Sequence, residues 1–355
     1  MATATSEPIA AGEEPVRPPR LVRRRIRLAN GHRVGVAAAG RGIPLVVVHG
    51  YLAEGFLYAQ ILSRLVAQGF MVVAVDTAGF GGTQGLPARG GNLALYTKLL
   101  GQTLDELGIE RAVFAGHSMG GRIVTELAAS EPERALAVLS IDGIVGDPWD
   151  RLVDVFRLMP PLLIPYGVVL LTDTMWTVPL LRDPGQARKL GRLALPTLAA
   201  HVYRPWRLVG PAISVLRSRG SRWMLEGIAQ KRIPFVAIHG DRDLPVPFAT
   251  GRSAAQRAKG ELVVVEHGTH SWLLRDPETL PAIVSELMAG RMGKAIRREL
   301  RAFGLDPDRA RPDEMAAAFC SPGATVLAMT PSATADPVSV VYRPPRYRWH
   351  VEHRK

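Results

Sequence analysis

One serine in this sequence has the neighbours that nucleophilic chemistry requires. Ser118 lies in the pentapeptide Gly-His-Ser-Met-Gly, between an apolar stretch typical of a strand and a second one typical of a helix. A serine hydroxyl is a weak nucleophile near neutral pH, so it needs a base, an acid that orients the base, and donors for the oxyanion. The pattern predicts a tight strand-to-helix turn that carries a nucleophile.

The base and the acid are expected after later strands of the same sheet. His270 in the run VVVEHGTHSW is the predicted base, and His267 is the alternative. The run FVAIHGDRDLPVP offers Asp241 and Asp243 as the acid, and Asp142 ends a further strand-like run. Because the carboxyl ends of parallel strands meet at one edge of a sheet, the residues alone leave these alternatives open.

The oxyanion of an acyl-transfer intermediate needs backbone donors at the same edge. The run VVVHGY ends another apolar stretch there, so we expect the N–H of Tyr51 to lie beside the serine. The N–H of Met119 follows the nucleophile at a helix N-terminus, where the helix dipole favours negative charge. We therefore predict Tyr51 and Met119 as the two donors.

Strand-like and helix-like segments alternate along the middle of the chain and predict an α/β fold. Short apolar runs rich in β-branched residues are typical of buried parallel strands; these are IPLVVVHG, FMVVAVD, RAVFAG, ALAVLSID, PFVAIHG and ELVVVEHG. An Asn-Gly pair at Asn30–Gly31 predicts a hairpin before them. The alternation predicts a mostly parallel central sheet with helices on both faces.

The same pattern divides the chain into four parts. Residues 1–20 are Pro-rich and are expected to form a disordered tail, and residues 21–145 and 231–290 are expected to form the core. Residues 146–230, the lid segment, lack a clear strand and are predicted to form a helical lid inserted between two late strands. Residues 291–355 are predicted to form a basic extension. It either docks to a partner or adds an extra layer to the core.

Within the extension, amphipathic spacing predicts helices over residues 292–304 and 312–320. Apolar runs predict short strands over residues 324–330 and 338–343.

Composition and charge narrow the class of protein. The 355 residues carry a formal net charge of +12, and neither a contiguous basic motif nor interleaved aromatic residues indicate nucleic-acid binding. The lid segment and the extension hold most of this charge, which admits contact with an anionic membrane surface. Cys320 is the one cysteine, and the N-terminal residues lack the apolar core of a signal peptide. These features predict a cytoplasmic protein, with membrane association as an option.

Four motifs together resemble the α/β-hydrolase fold superfamily over about residues 21–290. They are VVVHGY, DTAGFGGT, GHSMGG and HGDRDLPVP. The resemblance implies that the triad consists of Ser118, Asp243 and His270. It favours Asp243 over Asp241 as the second aspartate of its motif, and His270 over His267 from the Trp-containing sequence that follows. A serine at this turn argues against relatives that attack with aspartate, such as epoxide hydrolases.

Together these observations predict a serine esterase that needs no cofactor and no metal. A lid rich in large apolar residues favours an ester of an apolar or lipid-like acyl chain; the residues are Leu162, Leu163, Ile164, Val168, Val169, Met175 and Trp176. One alternative is an acyltransferase that uses the same triad. The other is a non-catalytic binding module in which the basic extension does the work.

Overall fold

The computed structural model describes residues 21–330 and 344–352, apart from 52, 54–57, 87–90 and most of 178–205. The strands are β1 (Val22–Arg27), β2 (Arg33–Ala39), β3 (Ile43–Val48), β4 (Phe70–Val75), β5 (Ala112–His117), β6 (Ala135–Ile141), β7 (Phe235–Gly240), β8 (Glu261–Val265) and β9 (Trp349–Glu352). The first helices are α1 (Ala59–Ala67), α2 (Leu93–Leu107), α3 (Met119–Ser130), α4 (Asp147–Leu158), α5 (Leu163–Thr177) and α6 (Trp206–Leu216). The later helices are α7 (Arg222–Gln230), α8 (Phe248–Arg257), α9 (Trp272–Arg275), α10 (Thr279–Ala289), α11 (Arg291–Ala302), α12 (Pro312–Ala318) and α13 (Thr325–Met329).

The nine strands within the described residues form one sheet in the order β1-β2-β4-β3-β5-β6-β7-β8-β9. The six strands from β3 to β8 pair in parallel, and β1, β2 and β9 are antiparallel to their neighbours. The central strands are buried along almost their whole length because helices cover both faces, as their apolar runs predict. The α/β fold with a mostly parallel sheet and the hairpin of β1 and β2 are therefore confirmed.

Two apolar layers hold the helices to the sheet. Residues of α2, α3, α7 and α8, such as Leu104 and Ile123, pack on one face. Residues of α1, α10 and α11, such as Leu62, Ile283 and Ile296, pack on the other. The sheet thus presents its carboxyl-terminal edge as the place where loops from several strands meet.

Helices make up the described part of the lid segment. Helix α7 packs against α3 with Met224, Leu225 and Ile228 buried, so it belongs to the helix layer of the sheet. Helices α4, α5 and α6 precede it and reach loops at the carboxyl-terminal edge: the Tyr51 hydroxyl donates to the Leu208 carbonyl at 2.9 Å. Across the described residues, no single helix has the length and apolar character needed to cross a membrane. Residues 147–158 and 160–173 together have that length and composition, but they are bent by 119° where they join.

The extension adds a layer to the core. Helices α11 and α12 confirm the two predicted helices, and α11 packs on α10 and β6. The predicted strand at residues 324–330 is wrong: Thr325–Met329 is helical, and Val326 and Met329, three residues apart, share its buried face. Residues 338–343 lie outside the described part. The sequence pattern did not predict β9, because its antiparallel pairing with β8 is set by contacts distant in sequence.

We predict that the last described residues stabilise the core. The Tyr347 side chain is 8% exposed and packs edge-on against Trp272, with ring centroids 5.9 Å apart. Tyr347→Ala should lower the free energy of unfolding by about 3 kcal/mol, because it leaves a cavity beside a buried tryptophan. Urea denaturation measures the change. The matched variant Tyr203→Ala, at a 79% exposed position, should stay within about 0.5 kcal/mol of the unsubstituted protein; equal losses would contradict the prediction.

Candidate active site

Ser118 lies at a strained turn between β5 and α3. Its backbone has φ 54° and ψ −116°, in a region that costs a non-glycine residue about 1–3 kcal/mol. Glycines make the turn possible: a Cβ on Gly116 would lie 2.3 Å from the Gly120 carbonyl carbon, and one on Gly120 would lie 2.1 Å from the Val48 oxygen. The turn therefore presses against the end of β3 and points a serine hydroxyl out of the sheet, as the pentapeptide predicts.

The structure brings Ser118 together with a histidine and an aspartate from two other strand ends. Nε2 of His270 lies 3.0 Å from the Ser118 Oγ, and Nδ1 of His270 lies 2.8 Å from the Asp243 Oδ2. All three side chains are buried, with Ser118 the most exposed at 8%. With Nδ1–H donating to the carboxylate, Nε2 is free to accept the hydroxyl proton of Ser118. This arrangement can activate the hydroxyl as a nucleophile.

Burial and charge act in opposite directions on this histidine and aspartate. Burial disfavours the imidazolium of His270, but the Asp243 carboxylate, followed by Asp142 and Asp173, outweighs it and raises the pKa of His270 to about 9. Burial alone would raise the pKa of Asp243. The imidazoles of His270 and His239 instead hold that pKa well below its ordinary value. The aspartate therefore stays ionised and favours a protonated histidine.

The structure separates the alternatives that the sequence left open. Asp241 is exposed, and His267 is exposed with a left-handed φ of 59°. Asp142 is fully buried, and its carboxylate accepts bonds from the Gly240 N–H at 2.8 Å and the Trp272 Nε1–H at 2.7 Å. Asp142 thus connects the end of β7 to Trp272, which follows the loop that carries His270 (residues 266–271, the histidine loop). Asp243 instead accepts a hydrogen bond from the His270 imidazole.

The turn after β3 passes beside the serine. A Cβ on Gly50 would lie 3.0 Å from the Ser118 Cβ. The buried His49 accepts the Thr77 N–H at Nε2, so its Nδ1–H donates to the Gly50 carbonyl at 2.7 Å. Because a trans peptide points its C=O and N–H in opposite directions, this bond fixes the direction of the Tyr51 N–H.

Met119 supplies the second predicted donor. It begins α3, so its N–H has no carbonyl partner within the helix. Neither this N–H nor that of Tyr51 donates to another of the residues that the structure describes. Both remain available to a ligand.

The role of His117 was not predicted, although it stands in the pentapeptide itself. Its Nε2–H donates to the His270 carbonyl at 3.0 Å, and its Nδ1 accepts the Tyr58 hydroxyl at 2.9 Å. Burial, together with the neighbouring His270, lowers the pKa of His117 to about 3, so the ring is neutral. His117 therefore supports the backbone of His270. Its position beside the serine was the only sequence signal of that role.

His239 was also missed. It is buried at the end of β7, and its Nε2–H donates to the Val246 carbonyl at 2.9 Å, with Asp243 Oδ2 3.4 Å away. Asp142, His239 and Asp243 are close enough to hold a metal ion by distance alone. The carboxylate oxygens already have partners, however, since Val246 N–H and His270 bond Asp243 and two N–H groups bond Asp142. The set fits the support of an aspartate better than metal binding.

Three apolar residues of the predicted lid are exposed, and Leu162 and Leu163 are half-buried. Ile164 is 75% exposed, Val168 59% and Val169 37%. The side chains of Met175 and Trp176 lie outside the described part. On the opposite side of α5, the Tyr166 hydroxyl donates to the Pro245 carbonyl at 3.3 Å. Pro245 belongs to the loop that carries Asp243 (residues 241–247, the acid loop).

Comparisons with known proteins agree with this fold. The model of the Alpha/beta hydrolase family matches residues 45–283. A protein of Mycobacterium phage D29, named as a non-heme haloperoxidase, is 33% identical over 267 residues, which are 73% of this chain and 92% of that protein. A solved membrane phospholipase A superimposes with a TM-score of 0.60 at 20% identity, over 76% of this chain and 86% of that one.

A solved esterase from Rhodococcus sp. ECU1013 gives a TM-score of 0.58 at 19% identity, over 76% of this chain and 98% of that one. At these identities the two structures show the fold. The family match spans most of the chain, and the phage relative aligns along nearly its whole length. The chain belongs to the alpha/beta hydrolase family.

Proposed function

We propose that this hydrolase cleaves a carboxylic ester through a triad of Ser118, His270 and Asp243. The observation that carries the proposal is the unbroken series of contacts from Asp243 Oδ2 to His270 Nδ1 and from His270 Nε2 to Ser118 Oγ, at 2.8 and 3.0 Å. Serine at the turn provides an oxygen nucleophile that forms an acyl-enzyme. The geometry needs no further group for the proton transfers.

In the first half of the reaction, neutral His270 takes the proton of the Ser118 hydroxyl as Oγ attacks the ester carbonyl carbon. The carbonyl π electrons move to the oxygen, and the N–H groups of Tyr51 and Met119 stabilise that oxyanion. Collapse of the intermediate breaks the bond to the alkoxy group, which leaves with the proton from His270. Asp243 stabilises the imidazolium throughout.

In the second half, water attacks the acyl-enzyme. His270 takes a proton from the water, and the same two N–H groups hold the oxyanion. Expulsion of the Ser118 oxygen, which recovers its proton from His270, releases the carboxylic acid. Each step uses a group whose position the fold fixes before the substrate arrives, so little reorganisation accompanies the chemistry.

The acyl chain is proposed to be apolar or lipid-like. The lid segment presents large exposed apolar side chains at the end of α4, with Leu158 at 83% and Met159 at 56% exposure. Such residues suit contact with a lipid-like substrate at an anionic membrane surface, where the basic charge of the lid segment adds attraction. We therefore propose that the protein makes peripheral contact with a membrane surface.

The acyl-enzyme could also react with an acceptor other than water. The phage relative is named as a haloperoxidase, which suggests hydrogen peroxide as one such acceptor. Attack of hydrogen peroxide on the acyl-enzyme would give a peroxyacid and free Ser118. The peroxyacid would then transfer its terminal OH to a halide as the O–O bond breaks, giving hypohalous acid and the carboxylate. An alcohol or amine acceptor would make the protein an acyltransferase. Product analysis with water alone, with peroxide and bromide, and with an added alcohol distinguishes the three.

We predict that Ser118→Ala lowers kcat for p-nitrophenyl esters by at least about 10⁴-fold, because it removes the nucleophile. It should also abolish labelling by a fluorophosphonate probe. The control is Ser63→Ala, at a half-buried serine of α1, and it should keep both properties. A Ser118→Ala protein with full labelling and turnover would contradict the triad and favour another site or a non-catalytic binding role.

The two aspartates of the acid loop provide a matched pair. Asp243→Asn should lower kcat by about 10⁴-fold, because an amide no longer stabilises the imidazolium or its tautomer. Asp241→Asn removes the same charge from an exposed position two residues away and should leave kcat within about threefold. Esterase assays on both variants check this. A larger loss of kcat in Asp241→Asn than in Asp243→Asn would assign the role of triad acid to Asp241.

The pH dependence follows from the raised pKa of His270, about 9. Only the neutral imidazole accepts the serine proton, so kcat/KM should rise with pH and level off above about pH 9. At pH 7 it should be about 100-fold below the plateau, since each unit below the midpoint costs tenfold. Initial rates between pH 6 and 10.5 measure the profile; a midpoint at or below the ordinary histidine value would contradict the prediction.

A further inference from the structure

A carboxylate of the lid segment bonds to the backbone of the proposed base. Asp173 lies on α5, yet its side chain is only 6% exposed. Its Oδ1 accepts the N–H of His270 and its Oδ2 accepts the N–H of Ser271, both at 3.1 Å. One carboxylate therefore holds two successive peptide groups of the histidine loop, from an element almost 100 residues earlier in the sequence.

The two bonds act on the loop that carries the proposed base. Residues 266–271 link β8 to the short helix α9. Two charge-assisted hydrogen bonds to adjacent N–H groups restrict the backbone on which the imidazole is mounted. His117 restrains the same residue from the other side through its carbonyl. Together, Asp173 and His117 hold both polar backbone atoms of His270.

We propose that Asp173 is a positioning residue that sets the backbone of His270, so that the triad is assembled only when α5 is packed against the histidine loop. The inference rests on the proposed function, since it assigns His270 the role of base. It makes the lid segment part of the catalytic framework: movement of α5 away from the loop would release two bonds to His270 and Ser271 and let the imidazole leave the serine.

Charge gives this role a signature that simple anchoring would lack. The groups that face the His270 imidazole are the carboxylates of Asp243, Asp142 and Asp173 and the neutral ring of His117, and His239 faces it across Asp243. Each carboxylate raises the pKa of His270. Loss of the Asp173 charge should therefore lower the pKa of His270 as well as loosen its backbone.

Two variants separate geometry from charge. Asp173→Asn removes the charge and turns one acceptor into an amide donor that faces an N–H. Asp173→Glu keeps the charge but places the carboxylate one methylene too far out to bond both N–H groups without a shift of α5. Asp154→Asn is the control, because it removes a lid carboxylate whose side chain is 63% exposed on α4.

Kinetics with a p-nitrophenyl ester and NMR titration of the His270 ring protons, assigned with His270→Gln, are the two measurements. Asp173→Asn should lower kcat by about 10–100-fold with KM within about threefold, because misplacement of the base affects the chemical step. Its kinetic and NMR midpoints should both move to lower pH. Asp173→Glu should lose kcat and keep the midpoint. Asp154→Asn should change neither.

An Asp173→Asn protein with unchanged kcat and an unchanged His270 midpoint would overturn the proposal, as would a loss of kcat that Asp154→Asn reproduces. Circular dichroism melts show whether Asp173→Asn is folded. If it is not, Asp173→Glu tests the proposal, since an unchanged kcat in folded Asp173→Glu also overturns the proposal. Failure of the proposed function is distinguishable, because the unsubstituted protein would then show no turnover that depends on Ser118. The NMR midpoint of His270 could still be compared between the unsubstituted protein and the Asp173 variants.

Discussion

The hydrogen bond between the Ser118 hydroxyl and His270 Nε2 is the contact that the strand order, turns and loops at the carboxyl-terminal edge of the sheet together position. It joins residues 152 positions apart over 3.0 Å. A parallel sheet brings several strand ends to one edge and so does this with short loops. The glycines around Ser118, the turn after β3 and the loops after β7 and β8 all meet at that edge. The parallel sheet is therefore the means by which distant residues reach hydrogen-bonding distance.

Burial of three carboxyl groups beside two histidines is the main electrostatic cost of the arrangement. Burial raises the pKa of Asp142, while the neighbouring imidazoles hold the pKa of Asp243 well below its ordinary value and keep it ionised. Each buried oxygen has an N–H partner, which offsets the loss of hydration. Asp173 extends this pattern into the lid segment. Charge and backbone support thus come from the same residues.

Much of the fold and the proposed site could be predicted because local sequence carries the signal. Apolar β-branched runs predict buried strands, and the glycines around Ser118 predict a turn too tight for side chains. Strand β9 and the bonds of Asp173 could not be predicted, because each depends on a contact between segments far apart in sequence. The helix at Thr325–Met329 was mistaken for a strand because the short apolar run of residues 324–330 lacks a clear period.

The measurement that tests the central claim most directly is a crystal structure of the protein after reaction with an alkyl phosphonate, whose tetrahedral phosphorus imitates the acylation intermediate. The account predicts a bond from phosphorus to the Ser118 Oγ. It also predicts a phosphonyl oxygen within about 3.1 Å of the amide nitrogens of Tyr51 and Met119. A phosphonate on another residue, or one on Ser118 whose oxygen contacts neither amide, would contradict it.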